Sequence, residues 1–241
     1  MEYAALVDVY RRLGATDSTL EKTAILAGAF ADGDPETLPL LVRLARGTAF
    51  PSWQSAELGV SSSLTVEAIA KATGVAGDRI EAEWRDTGDL GDAAAVAVDG
   101  ATQRTLVSRE LTVERVHDTL RELADYEGTG SEGRRIDAVA RLLSDADPEA
   151  ARYVVRTVLG HLRVGVGEGI VRDAIAAAFL DGSFDAAAGT VDVDEGAVAA
   201  VERAFQVTND FAVVARTARD GGRAALDALD VELFQIGRAH V

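Results

Sequence analysis

Cysteine is absent from the 241 residues, and lysine occurs only as Lys22 and Lys71, beside 22 arginines. Disulfides and cysteine-based zinc sites are therefore excluded. A lysine nucleophile or phosphate-binding P-loop lysine would have to come from these two positions, and neither follows a glycine-rich loop. Aromatics make up 5% of the chain and proline occurs four times. The expected core is thus built from Ala, Val and Leu, and Ala has the best intrinsic helix propensity. The tryptophans, Trp53 and Trp84, are expected in that core. No long apolar run is present: the longest strongly apolar stretch, residues 174–180, is far too short to span a bilayer. The start, Met1-Glu2-Tyr3, has neither the basic nor the apolar region of a signal peptide. A cytoplasmic protein without a membrane partner is expected. His117, His161 and His240 share no short ligand motif, so no metal site is expected.

What is abundant is carboxylate. Forty Asp and Glu face 24 basic residues, giving a formal net charge of −16. Arginine in place of lysine and a dense acidic surface fit a chain kept soluble in very salty cytoplasm. Paired carboxylates are so common here that they carry no catalytic signal. Against this background one window stands out. Residues 150–172 hold four arginines (152, 156, 163 and 172) and one acid, Glu168, a local balance of +3. The chain after Leu180 returns to 11 acids against five arginines.

Apolar spacing near 3.6 recurs along nearly the whole chain and predicts an all-α, irregular multi-helix globular domain of about a dozen short helices. Asp17 or Ser18, residues 61–63, Thr112 and Ser131 are expected caps. Pro35, Pro51 and Pro148 are expected at first helical positions. Residues 88–91 read as a turn, 103–107 as the one faint strand, and 150–162 as a continuous helix. On that last helix Val155, Val158, Leu159 and Leu162 fall within roughly a 100° arc. Arg152, Arg156 and, if the helix reaches it, Arg163 fall within about 40° of one another on an adjoining face. Three guanidiniums on one stripe suit a phosphate backbone; the plainer reading is a solvated face paired with Asp147 and Glu149.

Gly165, Val166, Gly167, Glu168 and Gly169 join this helix to the next. Gly165 and Gly167 would let backbone N–H groups meet a phosphate at a helix N-terminus without any side chain. The plainer reading is a tight turn that needs glycine for a positive φ. A dinucleotide fold is disfavoured, because the spacing is Gly-x-Gly-x-Gly and a helix precedes it. Gly130, Ser131, Arg134 and Arg135 repeat the theme: glycine, hydroxyl and two arginines open a helix, suited to phosphate or to a simple capped loop.

The runs Gly130-Ser131 to Arg134-Arg135, Arg152-Tyr153-Val154-Val155-Arg156 and Leu159-Gly160-His161-Leu162-Arg163-Val164-Gly165-Val166-Gly167-Glu168 resemble the N-terminal DNA-binding domain of archaeal ATP-dependent DNA ligases. Glu57-Leu58-Gly59-Val60, Gly88-Asp89-Leu90-Gly91, Leu111-Thr112-Val113 and Asn209-Asp210-Phe211 agree in order. The resemblance covers residues 1–234 and implies an all-α domain that grips double-stranded or nicked DNA through backbone and phosphate contacts. It implies Gly130, Ser131, Arg134, Arg135, Arg152, Arg156, Arg163, Gly165, Val166 and Gly167 as DNA-binding residues. In that family an adenylation domain and an OB-fold domain follow, and use ATP and Mg²⁺ to seal nicks. Here neither lysine sits in the family's Lys-x-Asp-Gly motif. No cofactor is therefore expected in this chain, ATP and Mg²⁺ being implied only for a full-length ligase. A truncated chain is expected, with residues 235–241 as a tail foreign to the family.

The leading expectation is a non-catalytic, monomeric duplex-binding domain that acts without sequence preference. The alternative is a helical scaffold whose acidic faces bind a protein such as a sliding clamp, without DNA. A complete small enzyme is disfavoured by the missing Lys, Cys and His constellations.

Overall fold

The computed structural model describes residues 1–51, 53–54, 56–101 and 109–229. The expected strand at 103–107 and the tail at 235–241 lie outside the described residues. Twelve helices and one small hairpin are present among those described. The helices begin with α1 (Tyr3–Gly14), α2 (Thr19–Asp32), α3 (Leu38–Ala45) and α4 (Ser62–Thr73). They continue with α5 (Gly77–Thr87), α6 (Leu90–Asp99), α7 (Val113–Asp125) and α8 (Ser131–Ser144). Then come α9 (Pro148–Val158), α10 (Glu168–Phe179), the strands β1 (Gly182–Asp185) and β2 (Thr190–Val193), α11 (Glu195–Thr208) and α12 (Phe211–Asp227). The expected all-α character holds.

Local signals set most boundaries. Ser18, Ser61, Thr112, Asp147 and Asp194 each accept a backbone N–H of the helix they open. Gly74 and Gly88 end α4 and α5 in left-handed conformation.

Several expectations need correction, among them Pro35, which lies in a turn three residues before α3 opens at Leu38. No helix occupies the described residues of 51–58: so short a segment, with few apolar positions, cannot offset helix nucleation. Residues 88–91 are not only a turn, because Asp89 caps α6 there. Gly130, not Ser131, sits at the N-cap of α8, and Ser131 is its first helical residue. By contrast α12 is two helices run together, separated by a break at Gly222 with φ +59° and ψ −154°. Trp53 is 54% exposed rather than in the core, and Trp84 is half-buried.

Two compact units divide the chain. The first comprises Met1–Asp17, Arg43–Phe50 and Gln54–Val166, so it holds α1 and α4–α9 with the end of α3. Its core is Leu6, Tyr10 and Leu13 of α1, Val116 and Leu120 of α7, Val139 and Leu142 of α8, and Val154 and Val155 of α9. Here α6 packs on α9, and α4 on α8. Tyr10 donates its hydroxyl to the Leu44 carbonyl at 2.8 Å and lies 4.9 Å from the Tyr153 ring.

The second unit comprises Ser18–Val42, Pro51–Trp53 and the chain from Gly167. In it α10 packs on α2, α11 and α12. The hairpin pairs antiparallel, with Gly182 opposite Val193 and Asp185 opposite Thr190. Asp185 accepts from the N–H groups of Ala187 and Ala188, which closes the turn.

Candidate nucleic-acid interface

The candidate residues of the arginine stripe, in the first unit, are built on the α6–α9 contact. Asp147 caps α9 and Pro148 opens it, while Ala150, Ala151, Val154, Val155 and Val158 fill its buried face. α6 meets it with small residues, Ala93, Ala94 and Ala97. A Cβ added to Gly91 would lie 2.7 Å from the Arg152 carbonyl oxygen, so glycine is what allows the backbones to approach this closely. This approach sets the N-terminus of α6, with Asp89 and Asp92, against the arginine stripe of α9.

The stripe is consequently paired. Arg156 donates Nε to both Asp89 carboxylate oxygens at 3.2 Å and Nη2 to Asp92 at 3.0 Å, and its guanidinium lies 5.5 Å from the Tyr153 ring centre. Arg152 donates Nε to Asp92 at 2.7 Å and Nη1 to Glu149. Arg163 meets the same Asp89 through Nε at 3.1 Å and donates Nη2 to the Gly88 carbonyl at 3.2 Å. Three guanidiniums therefore face three carboxylates, and the arginine stripe becomes a neutral network in space. Burial opposes ionisation of Asp89. Hydrogen bonds from Arg156 and the Asp92 N–H, with the charges of Arg156 and Arg163, outweigh it and hold the carboxyl below the usual range. The members differ in access: Arg156 is 15% exposed and Arg163 55%.

Arg163 does not reach this cluster along a helix. α9 stops at Val158, because Gly160 turns left-handed at φ +71°. The Gly160 N–H bonds to the Thr157 carbonyl and the His161 N–H to that of Arg156, the two bonds of a Schellman stop. The chain then alternates: Leu162 and Val164 are buried, while His161, Arg163 and Gly165 are exposed. Leu162 seats against Gly47. Arg163 has φ +58°, an uncommon conformation for a residue with a Cβ. Gly165 has φ +66° and Val166 is half-buried. Gly167 begins the second unit as the N-cap of α10, extended at φ −97°, with no side-chain cap and nothing within 4 Å of where a Cβ would stand.

The second loop lies in the first unit. Gly128 and Gly130 are left-handed, at φ +73° and +80°. Gly130 opens α8 without a side-chain cap, and Ser131 is half-buried. The two arginines that follow divide in role. Arg135 spends its guanidinium on three carbonyls: Nε on Leu58 at 3.1 Å and Leu123 at 3.2 Å, Nη2 on Tyr126 at 2.5 Å. It braces the start of α8 against the end of α7 and the 58–59 turn. Arg134 is exposed, donates to the Glu127 carbonyl at 2.6 Å and lies over the Tyr126 ring.

The structure thus brings Arg152, Arg156 and Arg163 together, through Asp89 and Asp92 rather than along one helical face. Asp89 and Asp92 escaped the sequence reading. The signal for them was an N-cap aspartate at Asp89 before the 3,4-spaced Leu90, Ala93, Ala94 and Ala97. The lysines do not fit an adenylation centre: Lys22 is buried in α2, and Lys71 pairs with Asp137 at the surface. Among the described residues no group of three His, Cys, Asp or Glu is placed to hold a metal ion. No described helix is long and apolar enough to cross a membrane.

Residues 2–176 match the family model described as DNA ligase N terminus. The chain is 43% identical over 230 residues to a DNA ligase of Methanothermobacter thermautotrophicus, covering 95% of this chain and 39% of that one. It is 38% identical over 233 residues to a DNA ligase of Thermococcus fumicolans (97% and 39%) and 37% identical over 253 residues to one of Haloferax volcanii (97% and 43%). The chain spans about two-fifths of the length of these relatives.

Proposed function

The chain belongs to the DNA ligase N-terminal family of archaeal relatives, and on that premise we propose that it binds duplex or nicked DNA without reading sequence. The observation that carries this reading is Arg163. It is half-exposed and in left-handed conformation, held out by buried Leu162 and Val164 on either side. Strain of this kind persists where surrounding packing over-determines it, and it clusters at ligand sites. Gly165 stands two residues on with no side chain to keep a phosphate away. The uncapped first turn of α8 adds N–H groups and a helix dipole, both suited to anions. Gly167, in the second unit, offers the same at the start of α10. Arg152, Arg156 and Arg135 support the site: the first two fix the α6 end through Asp89 and Asp92, and Arg135 fixes the loop before α8. Arg163, Gly165 and the two helix starts address phosphates, which carry no base code.

In this reading the domain serves a longer ATP-dependent ligase in replication, repair and recombination, in the cytoplasm of a halophilic archaeon. ATP and Mg²⁺ act at residues other than those of this chain. A mobility shift of labelled nicked duplex in graded salt tests the proposal. Binding is expected to weaken linearly in log salt, and Arg163→Ala to lower the slope by about 0.9, one phosphate contact. Absence of a shift at every salt concentration refutes the reading and favours the acidic scaffold. A hundredfold preference between unrelated duplexes of equal length refutes its sequence independence.

A further inference from the structure

The groove between α4 and α8 encloses about 570 Å³ and is lined by Lys71, Tyr126, Arg134, Asp137, Arg141 and Ser144. The α8 members recur at spacings of three, four and three, so they form one stripe along that helix. α4 packs alongside and contributes Lys71. Three cations share the groove with one carboxylate, in a chain whose acids outnumber its bases 40 to 24.

The cations are available. Among the described residues neither Arg134 nor Arg141 has a carboxylate partner. Arg134 gives Nη2 to the Glu127 carbonyl, and Arg141 gives only Nε, to the Asp137 carbonyl at 3.3 Å. The terminal amino groups of Arg141 remain open to a ligand. Lys71 pairs with Asp137, but the two side chains are 57% and 56% exposed. A pair so solvated is weak and screened by salt, so a phosphate can take the ammonium over.

We propose that this groove is a second phosphate-binding surface, which takes the phosphodiester backbone of duplex DNA. The inference rests on the DNA-binding reading above and extends it to Lys71 and Arg141. Spacing suits the ligand: Arg134 and Arg141 stand about 10 Å apart along α8, so both can meet a strand that carries one phosphate for about every 3.4 Å of duplex axis. The groove also begins one turn beyond the Gly130 N-cap, so the dipole of α8 and its arginines favour the same anion.

Lys71→Gln, Arg134→Gln and Arg141→Gln, singly and combined in the full chain, test the groove by the salt dependence of binding to a labelled nicked duplex. Each single change is expected to lower the slope of log K against log salt by about 0.9, one phosphate neutralised fewer, and the triple change by about two to three. Melting should stay at the parent's temperature, because all three side chains are exposed. Parent-like slope and affinity in the triple variant, while Arg163→Ala has lost its unit of slope, would overturn the groove and leave the main reading standing. A parent that binds no duplex would remove both. Displacement of DNA by polyglutamate, in the parent but not in the triple variant, would assign the groove to an acidic protein segment instead.

Discussion

Replacing Asp89 with asparagine removes one charge while keeping a good helix cap, so it isolates what the ion network contributes. Asp89 is 5% exposed as a side chain, caps α6 at the Asp92 N–H (3.0 Å), and accepts from Arg156 and Arg163. Hydrogen bonds to charged groups contribute about 1.5–3 kcal/mol. The Arg163 share is discounted, because that side chain is 55% exposed and screened. Asp89→Asn should therefore cost about 2 kcal/mol, chiefly through the more buried Arg156. Asp89→Ala also loses the cap and should cost about 1 kcal/mol more. In a domain of this size 2 kcal/mol is roughly 4–8 °C of melting temperature. The pH dependence has a definite sign. The carboxyl is held below its ordinary range in the fold. Its contribution is therefore complete above the unfolded value of about 3.9 and is lost as pH falls through the lower folded value. Urea melts of parent and Asp89→Asn should differ by the full amount at about pH 7, begin to converge below about pH 4, and meet only once pH has fallen below the lower folded value. Equal stability at neutral pH, or a deficit that persists unchanged in acid, would refute this account of the network.

Gly167→Val should melt with the parent, since φ is −97° and the space for a Cβ is open, yet it should weaken duplex binding. Gly165→Val should lose about 1–2 kcal/mol of stability as well, because φ is +66°. If Gly167→Val binds like the parent, the start of α10 is only a turn. Gly91→Ala should cost about 1–3 kcal/mol in a urea melt by pushing α6 off the Arg152 carbonyl, and an unchanged melt would contradict the close approach. Incubation with labelled ATP and Mg²⁺ should transfer no AMP to the chain, given the settings of Lys22 and Lys71. Stable labelling lost on Lys71→Arg would overturn that expectation.

The helical character and most caps were legible because 3.6-residue periodicity and Ser, Thr or Asp before an apolar run are local signals. α9 was read too long for a definable reason. Leu159 and Leu162 continue its apolar stripe, so periodicity ran past Gly160, whose left-handed φ ends the helix. Leu162 is buried as expected, but from a loop. α6 was hidden in the opposite way: alanine at 93, 94, 95 and 97 gives a face without contrast, and Gly88 to Gly91 looked like punctuation alone. Losing α6 meant losing Asp89 and Asp92, partners 67 and 64 residues distant from Arg156 in sequence. No local charge count can register such pairs. The hairpin escaped because its strands are four residues each and mostly polar, held by register and an Asp185 turn. Trp53 followed a composition rule, that large aromatics are buried, which says nothing about an individual position.

On the proposed reading, the way a chain of net charge −16 presents a surface to DNA follows from where its acids go. Asp89, Asp92 and Glu149 are turned onto arginines, so they neutralise the α9 stripe and are themselves unavailable to repel a phosphate. Such a network adds little attraction, since a phosphate would have to compete with carboxylates already within 3.2 Å of Arg156. What it supplies is position. Arg163 is tethered by Nε to Asp89 and by Nη2 to Gly88, and its Nη1 edge is left for a ligand. An arginine held in this way has less rotamer freedom to lose on binding. On the proposed reading, attraction therefore comes from Arg163 and from helix starts with no side-chain cap. Arg152 and Arg156, which look like the binding stripe in the linear sequence, act as its mount. The distinction has a measurable consequence. Arg156→Ala should lower stability with a small change in salt slope, whereas Arg163→Ala should lower the slope with a small change in stability. The opposite pattern would show that the buried stripe opens and meets the DNA itself.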